Sequence, residues 1–433
     1  MATVRWRGDA PAVAQIQSWS FGGTWESGDL IRVTIGGKTK DFAAGSTSTS
    51  TVVANLVAAW NALSAATWPE FAELTASQST TTFKLTADTA GKPFAVSLIP
   101  LESDGSSADS QTIEGGTTAM QGTNVAASSG PNDWSTAANW SGGAVPADGD
   151  DVCLEDSTVD ILYGLHQASI QPASLAIAQS YSGKIGLPAL NQDSASGSYF
   201  EYRERYLRLG AATILVGRGE GAGSQRINLD TGSDATALHL FQTGPAESGR
   251  ERTVQWIGSH ASNGVNVVRG SLGIALEAGQ AATIATLRVG YADNGSGESE
   301  VRIGENVTLE TLTQAGGSVV VGCAADSITL DDGLLTLEGA GAIDTLTIRG
   351  GRCLYHTTGT LTTGSISGNG ELDFSHDLRA KTISNPLERH GAAAKVKDPY
   401  KVVGSLIIDN NETADLAGLE LGTHIRVTRG SVS

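Results

Sequence analysis

A chain of 433 residues with Gly 54, Pro 11 and only 17% charged side chains exceeds one ordinary domain and has the balance of short strands and many turns, not of long helices. Its net charge of −18 argues against nucleic acid as a partner, because neutralising phosphates needs clustered Lys and Arg. Three distant cysteines, Cys153, Cys323 and Cys353, argue against a disulfide framework or a zinc site, and no apolar run reaches the length of a membrane-spanning helix.

The opening Met1 to Asp9 has no apolar signal-peptide core, so the expectation is a chain made in the cytoplasm. Seven of the eight tryptophans fall in the first 140 residues, a step in composition that predicts a separate amino-terminal unit. Leu30 to Ile35 alternates with period two, and Gly36-Gly37 turns it into Lys38 to Phe42. A Ser/Thr run ending at Ser50, read as the cap, precedes a helix with Val52, Val53, Leu56, Val57, Trp60 and Leu63 on one face. Phe71 to Ala76 and Thr81 to Ala87 supply two more strands. Residues 1–100 are therefore predicted to form a small α+β docking module of order β-β-α-β-β. A Ser/Gly-rich linker over 101–130 follows, at which the two parts should separate.

Residues 131–155 carry Trp134 and Trp140 ahead of the apolar run Val152-Cys153-Leu154. They are read as the first rung of a repeat structure, its open end covered by the two indoles. Short strands then recur, among them Ser174 to Ala178, Arg226 to Leu229, Ser327 to Leu330 and Leu334 to Leu337. One phrase keeps returning: Thr286-Leu287-Arg288-Val289-Gly290, Thr311-Leu312-Thr313-Gln314-Ala315-Gly316-Gly317 and Thr345-Leu346-Thr347-Ile348-Arg349-Gly350-Gly351. Each is an alternating run stopped by glycine, where the turn needs φ > 0. The fold class expected for 131–433 is mainly β, a parallel β-helix or β-solenoid of the right-handed type.

Residues with chemical potential are sparse. The histidines His166, His239, His260, His356, His376, His390 and His424 lack metal-ligand spacing. Asp373, His376 and Asp377 form one tight polar group that reads as a turn. Asp150-Asp151 and Asp331-Asp332 are the carboxylates a glycosidase would need on neighbouring rungs. Arg218 to Gly223 is glycine-rich but lacks the helix and Gly-Lys-Ser/Thr of a phosphate loop, and Asp293 to Glu298 lacks a full calcium ligand set. No catalytic residue, cofactor or metal is assigned. Tyr202, Arg203, Arg205, Tyr206 and Arg208 make the densest charged and aromatic patch of the second half, a candidate interface between subunits or with another protein.

The Trp134 to Pro146 segment, with Asn139-Trp140 and Gly142-Gly143, followed by Thr-Leu repeats ending in glycine, resembles the start of β-helical regions in bacterial surface and autotransporter-like proteins. Tyr202 to Gly210 and Ile257 to Asn263 resemble proteins of tailed-phage and prophage regions. Asp29 to Ile99 is similar to small domains of phage tail, fibre and head-decoration proteins. The resemblance implies a non-enzymatic structural protein of a phage virion, a fibre, spike or capsid decoration, docked by its amino-terminal module. It implies a homo-oligomer, with a trimer favoured, and partners among capsid or tail proteins, with a host surface glycan as a further candidate. The alternatives are a polysaccharide-degrading tailspike and a bacterial surface adhesin.

Overall fold

The structure is a computed structural model and describes residues 2–120, 129–193, 197–291, 299–410, 418–422 and 426–428. It is mainly β, and among the described residues its body consists of two parallel sheets of 14 and 11 strands. From Leu207–Arg208 and Thr213–Arg218 onward, successive strands enter the two sheets in strict alternation. Each rung thus adds one strand to each sheet, which is the build of a β-solenoid. At the ~4.8 Å spacing of neighbouring strands, the longer sheet extends roughly 60 Å.

Local alternation explains the core. Val301, Val319, Leu335, Cys353, Leu372 and Val396 lie in register on successive rungs of the 11-stranded sheet and are all buried. The recurring Thr-Leu phrase also stacks: Thr286 pairs with Thr311, Thr311 with Ser327, and Ser327 with Thr345, which sets Leu287, Leu312, Ile328 and Leu346 one above another inside. Its glycines Gly290, Gly317 and Gly351 have φ of 79°, 73° and 68°, so the turn does take a conformation that side chains resist. Within the same strands Ile284 and Leu287, Leu309 and Leu312, and Ile343 and Leu346 are buried with two residues between them. That slip in the alternation places two outward residues together, as a corner requires.

The division of the chain differs from the expectation in two ways. Thr3–Arg5 pairs in parallel with Asp151–Leu154, so the amino-terminal residues begin the solenoid, and the α+β elements are inserted after them. Second, 101–130 is not simply a linker: Gln111–Met120 pairs antiparallel with Gln15–Gly23 along its whole length. The register shifts between Ser18 and Trp19, opposite Gly115 and Gly116 with φ of 112° and 82°. A bulged strand of Thr and Gly has the composition of a linker, which is why it reads as one. Residues 121–128 lie outside the described residues.

The insertion holds a four-stranded sheet, in the order Leu74–Ser79, Thr82–Ala87, Gln15–Gly23, Gln111–Met120, and a three-stranded one, Lys38–Ala43, Leu30–Ile35, Val96–Leu101. The helix Thr49–Asn61 buries Val52, Val53, Leu56 and Trp60, with the Trp60 ring 5.1 Å from Phe71 and 5.9 Å from Phe83. Its cap is Ser48, not Ser50: Ser48 takes the extended conformation with which chains enter helices. The ends of the insertion meet at one buried side chain. Asn139 Oδ1 accepts from the Ala10 amide at 2.8 Å, and Asn139 Nδ2 donates to the Gly130 and Asp133 carbonyls at 2.7 and 2.8 Å.

All three cysteines are free, with Cys323 and Cys353 buried. Among the described residues no helix is long and apolar enough to cross a membrane.

Candidate functional site

Trp134 and Trp140 lie at the amino-terminal end of the solenoid core, joined there by Trp6. Trp140 meets Trp134 edge to face with centroids 4.6 Å apart and Trp6 likewise at 5.0 Å. All three are 2% exposed or less. Trp140 Nε1 donates to the Trp134 carbonyl at 2.7 Å, and Trp6 Nε1 to that of Val159 at 3.1 Å. Edge-to-face pairs of this kind add to the stability that area burial supplies.

The candidate interface is divided three ways. Between Pro188 and Arg205 the chain leaves the rungs and makes an antiparallel hairpin, Leu190–Asp193 with Gly197–Phe200, that lies against the insertion. Tyr202 packs on the insertion's core over the Gly36 turn, where φ is 55° and a Cβ would fall 2.5 Å from that of Tyr202. Arg203 donates through Nε to the Pro93 carbonyl at 2.6 Å, through Nη2 to Glu73 at 2.9 Å, and through Nη1 to Glu201 and the Tyr199 hydroxyl at 2.9 and 3.0 Å. Tyr199 donates in turn to Glu73 at 2.6 Å, and Lys92 closes a second ion pair to Glu73. The Glu201 side chain is fully buried, and the side chains of Glu73 and Arg203 are nearly so. Burial works against charge on Arg203, but Tyr202, Glu201 and Tyr199 outweigh it and hold the guanidinium above its ordinary pKa. Tyr202 and Arg203 therefore join two parts of one chain. Both are half-buried against the insertion, so much of their surface is spent on this contact within the chain.

Arg205 instead lines a cleft of ≈ 460 Å³ between the hairpin base and the Glu247–Glu251 loop, and Tyr206 is buried beside it against Gln255 and Glu277. Arg205 grips Glu277 through both terminal nitrogens at 2.8 and 2.7 Å, and the Tyr206 hydroxyl donates to Gln255 Oε1 at 2.8 Å. Burial pushes the Tyr206 phenol up to about 12. Glu247 accepts from Lys184 at 2.7 Å and Arg226 at 2.5 Å. Burial alone would raise its pKa, and these two cations hold it below the usual range. Arg250 also lines the cleft. Arg208 sits apart on the solenoid flank, 3.3 Å from Asp230 and within reach of His166.

The polar group at the far rungs is a braced turn. The Asp373 carboxylate, fully buried, accepts from Arg352, from the Ser375 amide at 2.8 Å and from the Ser375 hydroxyl at 2.6 Å. Burial raises its pKa, but the guanidinium and the serine outweigh that and depress it. Asp377 is held well below the usual range by Arg379, then by Lys381, whose side chain is itself buried. Depressed carboxyls contribute stability that is complete above their unfolded pKa and is lost as pH falls through the folded one. Taking the pH from 6 to 3 is thus expected to speed amide exchange over 373–381, corrected for intrinsic rates, before it speeds exchange in Val319 or Leu335. Equal acceleration in both would refute this assignment. The Asp293 to Glu298 loop and His424 lie outside the described residues.

Glu73, Lys92, Glu247, Arg250 and Glu277 are the site residues that sequence reasoning missed. Glu73, Lys92 and Glu277 are isolated charges in their own segments, and for Glu247 as for these three the ion-pair partners stand 19 or more residues away in the chain. No protein-family model, curated protein or solved structure matches this chain.

Proposed function

We propose that the chain is a non-enzymatic structural protein of a phage virion, of the fibre, spike or capsid-decoration kind, in which the inserted module docks and the solenoid projects. The observation that carries this reading is the join. A buried ionic network, an apolar contact at Tyr202 and the Asn139 tie fix the α+β insertion to the first rungs of a rod roughly 60 Å long. A part that must hold one element at a set distance from another needs such a join, whereas a freely tethered binding domain does not. The state of Asp373 also favours it over the depolymerase alternative: this carboxylate is enclosed and already engaged by Arg352 and Ser375.

The coil is of the right-handed type, since connections between parallel neighbours take that hand almost without exception. Its terminal strand edges are covered by self-association, with a trimer favoured. The tests are direct. The gene is expected beside capsid, portal and tail genes, and antibody to the chain is expected to label purified particles. Light scattering should give a multiple of 44.5 kDa, and incubation with capsule or lipopolysaccharide should release no reducing sugar. A gene among secretion genes with no labelled particle overturns the virion reading. Sugar release abolished by Asp373→Asn moves the chain to the depolymerase class.

A further inference from the structure

The cleft beside the hairpin is lined by two guanidinium groups, Arg205 and Arg250, and three carboxylates, Glu247, Glu251 and Glu277. Its carboxylates are already matched: Glu277 by both terminal nitrogens of Arg205, Glu247 by Lys184 and Arg226 together, and Glu251 by Arg302 at 3.3 Å and Arg252 at 3.9 Å. Arg250 is not. It donates through Nε to the Arg252 carbonyl at 2.9 Å and through Nη2 to Asn228 Oδ1 at 2.6 Å. Among the described residues no carboxylate lies within ion-pair distance of it and no acceptor meets its Nη1. A half-buried guanidinium whose hydrogen-bond partners are neutral is costly, and burial pushes it down to about 10 despite the more distant pull of Glu247 and Glu277. Such a group is stabilised when an anion enters.

The rest of the lining narrows the ligand. Gln255 gives its carbonyl oxygen to Tyr206, which leaves its amide hydrogens to donate. Ser248 and Gln192 add neutral polar groups, while Glu277 and Glu247 remain acceptors. A dianionic phosphate would meet those carboxylates at close range and be repelled. A single carboxylate carried on a ring of hydroxyls uses both kinds of partner: the anion on Arg250, the hydroxyls donating to Glu277 and Glu247 and accepting from Gln255. We infer that this cleft binds an acidic monosaccharide unit, with Arg250 as the carboxylate anchor. The volume of ≈ 460 Å³ is that of an ordinary small-ligand site. The inference deepens the reading of a surface glycan as partner, but it is measured on the purified chain, independently of any particle.

The experiment is titration calorimetry and saturation-transfer NMR of the full chain with glucuronate, N-acetylneuraminate, glucose and inorganic phosphate. Saturable binding of at least one acidic sugar, with glucose and phosphate inert, is the expected result. Arg250→Gln should weaken it about tenfold or more, as loss of a charge-assisted hydrogen bond does. Because Arg250 also holds Asn228, Ser248→Trp is made alongside: this exposed loop residue leaves the rungs untouched and should abolish binding by filling the cleft. No binding of either acid, binding that ignores both variants, or phosphate binding as tightly as the sugars would each overturn the assignment.

Discussion

Arg203→Met is expected to cost about 3–5 kcal/mol, the usual penalty for removing one member of a buried ion pair, and to loosen the insertion from the solenoid. The substitution keeps the length of the side chain but leaves Glu73 and Glu201 enclosed. Glu73 retains Lys92, and Glu201 loses its only ion-pair partner among the described residues. The loss should appear as an early thermal transition, not as collapse of the whole chain, because each part has its own apolar core and unfolding need not be two-state. Limited proteolysis should then attack the hairpin at Leu190–Phe200, whose outer face already exposes Phe200. In a double-mutant cycle with Glu73→Gln the two effects should be strongly non-additive. Additive effects, or a transition within about 0.5 kcal/mol of wild type, would show that the network does not hold the parts together.

Trp140→Ala is expected to act at the other junction, with a loss of about 3–5 kcal/mol typical of a large aromatic removed from a core. Trp6 and Trp134 both lose their edge-to-face partner, and the void opens beneath the first strand. Trp140→Phe, which keeps an aromatic ring but no indole N–H, should recover most of the loss. The strand Thr3–Arg5 should be the first to show increased amide exchange in the alanine variant. Unchanged exchange there, together with an unchanged thermal profile, would refute a role for the tryptophan cluster in closing the end.

Much of the solenoid was legible because its signal is local. Period-two alternation fixes which side chains point inward within a single strand, and a recurring Thr-Leu phrase ended by glycine tells that strand from its neighbours; Thr286, Thr311 and Thr345 do occupy equivalent positions. The helix face at Val52, Val53, Leu56 and Trp60 was equally visible. What escaped notice has a common cause. Three residues, Thr3 to Arg5, are too few to show a period, and their partner stands almost 150 residues later. Gln111–Met120 is disguised by the glycines of its bulge. The Glu73–Arg203 pair joins segments 130 residues apart, and a single charged residue in a turn has the same look whether its partner is water or a buried guanidinium. The patch from Tyr202 to Arg208 stood out by density, but density does not say which way a side chain faces.

The parallel pairing of Thr3–Arg5 with Asp151–Leu154 also sets a timetable. During synthesis the first strand emerges long before the segment it pairs with, and at ordinary elongation rates the interval is on the order of ten seconds. The intervening residues 10 to 129 can fold in that time, since their sheets and helix pair only with one another. The first strand closes on Asp151–Leu154 when that segment emerges, and the opposite edge of Asp151–Leu154 is the one that receives Ser174–Ala178. Each later rung pairs with the one before it in the sequence, so the order of synthesis is also the order of stacking.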